Sequence, residues 1–292
     1  MKTAIIIKAH AWLYEEPDGS VSDELLMGWA VGICDRQDGW LHVVTHYGYK
    51  GYLRVDCVRF CVEGELRRRD ESGQMVFVSR LSVDVLEEPA VQAKRLQTLQ
   101  RGSFVRVMPD RSNGFRHVIL ADGRSGYVPC VMYELRRDSD CYLYDREPES
   151  CFWNQASGRI WNEEVFRSMV TDRAVSYLGV SYRWGGKSPQ GTDCSGLVFM
   201  CYLMSGILIY RDAVLHPDYP VREITPSQAA PGDLLYFPGH VAIYIGNGRY
   251  IHATGNTRDF GCVINSLMQE DADYREDLAE QLYAAGSIFP VY

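Results

Sequence analysis

GHVAIYIGNGRYIHAT, residues 239–254, alternates apolar and polar side chains on both sides of Gly246-Asn247-Gly248. A period of two marks half-buried strands, and a Gly-Asn-Gly tip is a strong hairpin signal. Each strand carries one histidine, His240 and His252. A three-residue loop pairs Ile245 with Arg249 and Ala242 with His252. His240 is then the diagonal neighbour of His252 on one face, about 7–8 Å away by backbone. A two-residue loop puts the rings on opposite faces, because a slip of one residue turns every side chain over. Further strand patterns flank the hairpin, LLYF (234–237) before it and CVIN (262–265) after it.

Two helices precede this sheet. NEEVFRSMVTDRAVSYL (162–178) is amphipathic, with Asn162 as its cap and Gly179 as its stop. GTDCSGLVFMCYL (191–203) opens as a loop, offers Asp193 as a cap, and continues with Leu197, Val198, Cys201 and Tyr202 at helical spacing. A thiol, Cys194, therefore sits in the first turn of a mostly buried helix. Helices followed by an antiparallel sheet make an α+β plan.

The first half of the chain repeats itself. LYEEP (13–17) matches VLEEP (85–89), and LLMGWAV (25–31) matches LQRGSFV (99–105). DGWLHVV (38–44) matches NGFRHVI (113–119), and GYLRVDCV (51–58) matches GYVPCVMY (126–133). Each copy is a run of short strands broken by Gly, Asp and Pro turns, similar to bacterial SH3-like barrels. Units this small are near the limit of independent stability and are expected to pack on each other or on the rest of the chain. The predicted organisation is multidomain: two all-β SH3-like barrels (1–64 and 75–136), a connector (137–160) and an α+β domain (161–292). The charged stretch EGELRRRDESGQ (63–74) reads as a solvated loop between the barrels.

Composition narrows the function. The 292 residues carry a net charge of −8, with 46% hydrophobic and 23% charged residues. That balance does not suit a general nucleic-acid binder. No apolar run is long enough to span a bilayer, so no membrane partner is expected. The opening MKTAIIIKAHAWLYEEP reads as strand rather than signal peptide. The nine cysteines lack zinc-type spacing and read as free thiols in a reducing cytosol. Cytoplasmic location is therefore expected, with secretion as the alternative.

Cys194, His240 and His252 have the chemistry of a thiol nucleophile, its base and the group that orients the base. A helix N-terminus and a nearby imidazolium are expected to lower the thiol pKa, and first-turn N–H groups can face an oxyanion. Gly196 reads as leaving the backbone open there. The competing readings are a structural cysteine, which Cys201 resembles more, and a zinc site, for which one Cys and two His without short spacing is weak.

YRWGGKSPQGTDCSGLV, followed by PGDLLYF and GHVAIYIGNGRYIHA, resembles the NlpC/P60 cysteine peptidases, a papain-like family. The resemblance spans about 160–292. It implies Cys194 as nucleophile, His240 as base and His252 as orienting residue, with Tyr182, Asp193 and Ser195 lining the substrate site. No metal or cofactor is implied. With two SH3-like domains in front, the arrangement resembles γ-D-glutamyl-L-diamino acid endopeptidases acting on murein peptides with a free N-terminal L-alanine. That implies an acidic residue and a tyrosine of the first domain at the substrate amine. Glu24, beside Asp193, and Tyr47 or Tyr49 are the candidates, and Arg211-Asp212 fits a loop near the substrate. A monomer is expected. The alternatives are a wall-remodelling DL-endopeptidase on intact peptidoglycan, a non-catalytic wall-binding protein, and an acyltransferase or lipid hydrolase using the same Cys–His pair.

Overall fold

The computed structural model describes residues 1–71, 74–135 and 162–289. Two compact units divide the chain, Met1–Glu147 and Pro148–Tyr292. The expected connector, 137–160, lies outside the described residues.

The first unit holds the repeat. Its first sheet is β1 (Lys2–Ile6), β2 (His10–Tyr14), β3 (Val21–Leu26), β4 (Ala30–Gln37), β5 (Trp40–Thr45), β6 (Lys50–Arg54) and β7 (Val58–Phe60). Its second is β8 (Met75–Val78), β9 (Ser82–Leu86), β10 (Arg95–Gln100), β11 (Phe104–Ser112), β12 (Phe115–Ile119), β13 (Ser125–Pro129) and β14 (Tyr133–Leu135). The strand orders are β3-β2-β6-β5-β4-β1-β7 and β10-β9-β13-β12-β11-β8-β14, the same path twice. Matched details repeat too. Asp38-Gly39 and Asn113-Gly114 both take positive φ, the conformation a two-residue hairpin turn demands. His42 stacks on Tyr52 at 4.9 Å and His117 on Tyr127 at 5.1 Å.

The two copies pack through equivalent turns. Trp29 Nε1 donates to the Gly102 carbonyl (2.8 Å), and Phe104 N donates to the Met27 carbonyl (2.8 Å). A side chain at Gly28 would lie 2.5 Å from the Phe104 carbonyl oxygen, so that approach needs glycine. Between the copies runs a helix, α1 (Glu65–Glu71), where the charge pattern had suggested a loop. Glu65 accepts from Val62 N (3.0 Å) and from both terminal nitrogens of Arg59, and Leu66 is buried, so the segment is tied down at its first turn.

The second unit is α+β. Helix α2 (Glu163–Val175) is capped by Asn162, whose side chain accepts from Val165 N (3.2 Å). A short ribbon, β15 (Lys187–Ser188) and β16 (Gly191–Thr192), leads into α3 (Cys194–Met204). The sheet comprises β17 (Arg222–Ile224), β18 (Leu234–Phe237), β19 (His240–Gly246), β20 (Arg249–Thr254), β21 (Gly261–Ser266) and β22 (Ala284–Ser287), in the order β17-β22-β18-β19-β20-β21. A last short helix, α4 (Glu276–Ala279), precedes β22.

Helix α3 carries no charged residue and is buried nearly all round, as an uninterrupted apolar helix must be. It packs on β19 and β20 on one side and on α2 on the other, where Phe166 meets Tyr202 edge-on at 5.7 Å. Each large side chain it buries contributes about 1.5–3 kcal/mol. That burial fixes Cys194 against the middle of the sheet.

The hairpin register is the decisive detail. Gly246 pairs with Arg249, so the turn is Asn247-Gly248, both at positive φ. This is a two-residue turn, not the three-residue loop that would pair Ile245 with Arg249. Between Tyr244 and Gly246 the register shifts through a bulge at Ile245, after which Tyr244 pairs with Tyr250 and Ile243 with Ile251. The bulge restores the alignment of Ala242 with His252, and both histidines share a face.

Candidate active site

Asp193 caps α3. Its carboxylate accepts from Gly196 N (2.5 Å) and, across the loop, from Gly185 N (2.8 Å). Buried Arg211 donates to both of its oxygens (3.2 and 3.1 Å) and to Ser195 Oγ (2.7 Å). These contacts lock the first turn and hold Cys194, which is 7% exposed, at the helix start. The Cβ of any residue at 196 would lie 2.1 Å from the Gly186 carbonyl oxygen. Gly196 therefore serves a close backbone approach, not an open one.

The histidines form a line. His240 Nε2 lies 2.7 Å from His252 Nδ1, and the rings meet edge-to-face. His252 is fully buried, and its Nε2 lies 2.7 Å from Asn265 Oδ1. Asn265 sits on β21 opposite Tyr250, which makes it the diagonal neighbour of His252. Its amide nitrogen donates to the Asp273 carbonyl (3.1 Å). At the other end, the backbone N–H of Val241, one residue beyond His240, reaches the Cys194 sulfur. Cys194, His240, His252 and Asn265 thus run across α3, β19, β20 and β21.

Burial sets their charge. The Cys194 thiol is pushed up to about 11 by desolvation, with the Asp193 carboxylate adding to it. His240 is pushed down to about 3, first by burial and then by His252. His252 is pushed down to about 4 by burial, partly opposed by its bond to Asn265. Both directions favour a neutral thiol beside a neutral imidazole, where the position of Cys194 at a helix N-terminus had suggested a lowered thiol pKa. Desolvation outweighs the helix end because Cys194 itself is buried.

Other expected residues fall near and far. Tyr182 pairs with Thr192 by a backbone bridge and is close enough to Cys194 for their charges to couple, its hydroxyl pushed up to about 12 chiefly by burial. Ser195 and Arg211 join the Asp193 cluster. Asp212 instead hydrogen-bonds Tyr210. Glu24, Tyr47 and Tyr49 belong to the first unit, where Glu24 is buried opposite Trp12 and the Tyr47 hydroxyl donates to buried Asp23. Tyr49 packs its ring 6.3 Å from that of Tyr47. Asn265 is a site residue that the sequence did not single out. Asn265 had one signal, an amide ending an otherwise apolar strand. Among the described residues, no three His, Cys, Asp or Glu side chains are grouped to hold a metal.

Residues 179–274 match the model of the NlpC/P60 family. Over 98% of its length the chain is 38% identical to dipeptidyl-peptidase 6 of Lysinibacillus sphaericus, covering 99% of that protein. The chain belongs to the NlpC/P60 family. It is accordingly a peptidase of the cysteine class that this family comprises. A shorter stretch, 35% of the chain, is 36% identical to the bifunctional muramidase/DL-endopeptidase CwlT of Bacillus subtilis, covering 32% of it. A crystal structure of an NlpC/P60 family protein from Bacillus cereus shares the fold, with a TM-score of 0.76, 19% identity, and 99% and 100% of the two chains covered.

Proposed function

We infer that this NlpC/P60 peptidase cuts the bond between γ-D-glutamate and an L-diamino acid in murein peptides that begin with free L-alanine. The observation that carries this is the end-to-end likeness to a dipeptidyl-peptidase, joined to the His240–His252 pair and to Cys194, whose sulfur receives the Val241 N–H next to His240. A dipeptidyl-peptidase releases two residues from an amino end, here L-alanyl-D-glutamate. The two β repeats are taken as SH3-like domains, the enzyme as a cytosolic monomer, and the substrate as peptide already released from the wall.

His240 takes the Cys194 proton as the sulfur attacks the γ-carbonyl carbon. The tetrahedral oxyanion faces backbone N–H groups at the start of α3, where the helix end favours negative charge. Collapse breaks the C–N bond, and His240 returns the proton to the departing amine of the diamino acid. Water then gives a proton to His240 and its oxygen to the thioester, freeing the glutamyl carboxylate and the thiol. Within the catalytic unit the substrate ammonium is assigned to the Asp193 carboxylate. Asp193 would share oxygens that already hold Arg211 and two backbone N–H groups.

The likeness to CwlT supports a second reading, an endopeptidase on intact wall. The ratio of kcat/KM for free and N-acetylated L-Ala-γ-D-Glu-diamino acid peptides separates the two. A buried ammonium site gives a ratio above about 100, the cost of leaving a charged or polar partner unpaired. A ratio near one, with ready digestion of sacculi, selects the wall enzyme.

A further inference from the structure

We propose that Asn265 is a positioning residue that fixes which ring nitrogen of His240 acts as the base. The proposal rests on His240 being that base.

The hydrogen-bond line starts at the Asp273 carbonyl and runs inward. That oxygen accepts from Ser266 N (3.1 Å) and from Asn265 Nδ2 (3.1 Å). A carbonyl cannot donate, so only the amide nitrogen of Asn265 can face it, and the amide oxygen must face His252. That oxygen is 2.7 Å from His252 Nε2 and can only accept. His252 Nε2 therefore carries a hydrogen. A neutral imidazole has one N–H, so His252 Nδ1 offers a lone pair. His240 Nε2, 2.7 Å away, must then donate to it. The remaining nitrogen of His240, Nδ1, is left with the lone pair that can take the thiol proton. Burial of both rings keeps them neutral at rest, which the one-proton count requires.

The anchor of this chain is itself held. Arg249 pairs with Asp271 (3.2 Å) and with the Asp273 carboxylate, so the segment presenting the Asp273 carbonyl is clamped to the start of β20. An amide at 265 also cannot accept the catalytic proton. The line orients His240 and stabilises its charged form during the reaction through the bond to His252 Nδ1. A carboxylate in the same place would do more: it would hold a charge against His252 among Arg275, Asp277 and Asp259, the groups already acting on that ring.

The test starts from the unmutated protein. Ring ¹⁵N shifts of His240 and His252, assigned with His240→Gln and His252→Gln, report the tautomers directly. Nε2–H at both rings is expected, and Nδ1–H at either overturns the proposal whether or not the protein cleaves any peptide. Asn265→Ala should mix the tautomers and lower kcat about 10- to 100-fold, the usual cost of losing an outer partner, with KM little changed. Asn265→Asp should keep Nε2–H at His252 but move the acid limb of kcat/KM upward, because the carboxylate stabilises the imidazolium. A folded Asn265→Ala protein with wild-type tautomers and wild-type kcat would overturn the assignment, as would an Asn265→Asp profile identical to wild type. Loss of cleavage by the unmutated protein, with the expected tautomers, would count against the reaction and not against this role of Asn265.

Discussion

Acid should loosen the catalytic unit through buried His252 and half-buried His240. In the unfolded chain each ring takes a proton near pH 6.5. In the folded protein burial holds His240 down to about 3 and His252 down to about 4. Between those limits the unfolded state binds more protons, so stability falls as pH falls. Above pH 6.5 both states are neutral at these rings and the effect vanishes. At pH 5, about 1.5 units below the unfolded value, each ring costs roughly 2 kcal/mol, and the pair roughly 4 kcal/mol. That is a large share of the 5–15 kcal/mol typical of a domain. Carboxylates also titrate in this range, so the informative quantity is a difference. In His252→Gln one of the two titrating rings is gone, while the amide can still hydrogen-bond His240. The pH slope of stability between 6 and 5 should fall by one proton, about 1.4 kcal/mol per unit. Hydrogen exchange of peptides from β19 and β20, corrected for intrinsic rates, reads the opening energy of this unit alone. Equal slopes in the two proteins would refute the argument that the buried rings are held neutral.

Three other outcomes follow from the same geometry. Alkylation of Cys194 by iodoacetamide should rise about tenfold per pH unit from 7 to 9, as a neutral thiol requires; a plateau across that range would reveal a resting thiolate–imidazolium pair. His240→Ala should lower kcat by thousands-fold or more, whereas His252→Asn should retain part of the rate, because an amide can still receive the His240 N–H; steady-state rates in the reverse order would exchange the two roles. Gly196→Ala should destabilise the catalytic unit by about 2 kcal/mol or more, since its Cβ meets the Gly186 carbonyl and not a movable side chain; an unchanged thermal midpoint would contradict that packing.

Much of this was readable in the sequence because it is local. The repeat, the Asn162 and Asp193 caps and the Gly-Asn-Gly turn are each written in a few adjacent residues. The shared face of His240 and His252 was readable only as one of two registers. The turn is the two-residue type that should have separated the rings, and the bulge at Ile245 reverses that result. No local pattern announces a bulge, since it is a property of the pairing of β19 with β20 and not of either strand alone. Asn265 was missed for a related reason: its role comes from the pairing of β20 with β21 and from a carbonyl eight residues on. Helix α1 was missed because its charges suggested solvent, while its stability comes from Arg59 and one buried leucine.

The bulge at Ile245 has a consequence for how the hairpin can change its length. Removing that residue would leave Gly246 opposite Arg249 and Tyr244 opposite Tyr250, an ordinary hairpin with the same histidine alignment. One residue can therefore come or go at the tip without passing through a form whose two rings point apart. A single insertion between His240 and Tyr244, or between Tyr250 and His252, has no such refuge, because it turns one ring to the opposite face of the sheet. Descendants of this chain are free to vary the end of the hairpin and are held to a fixed count along its shaft.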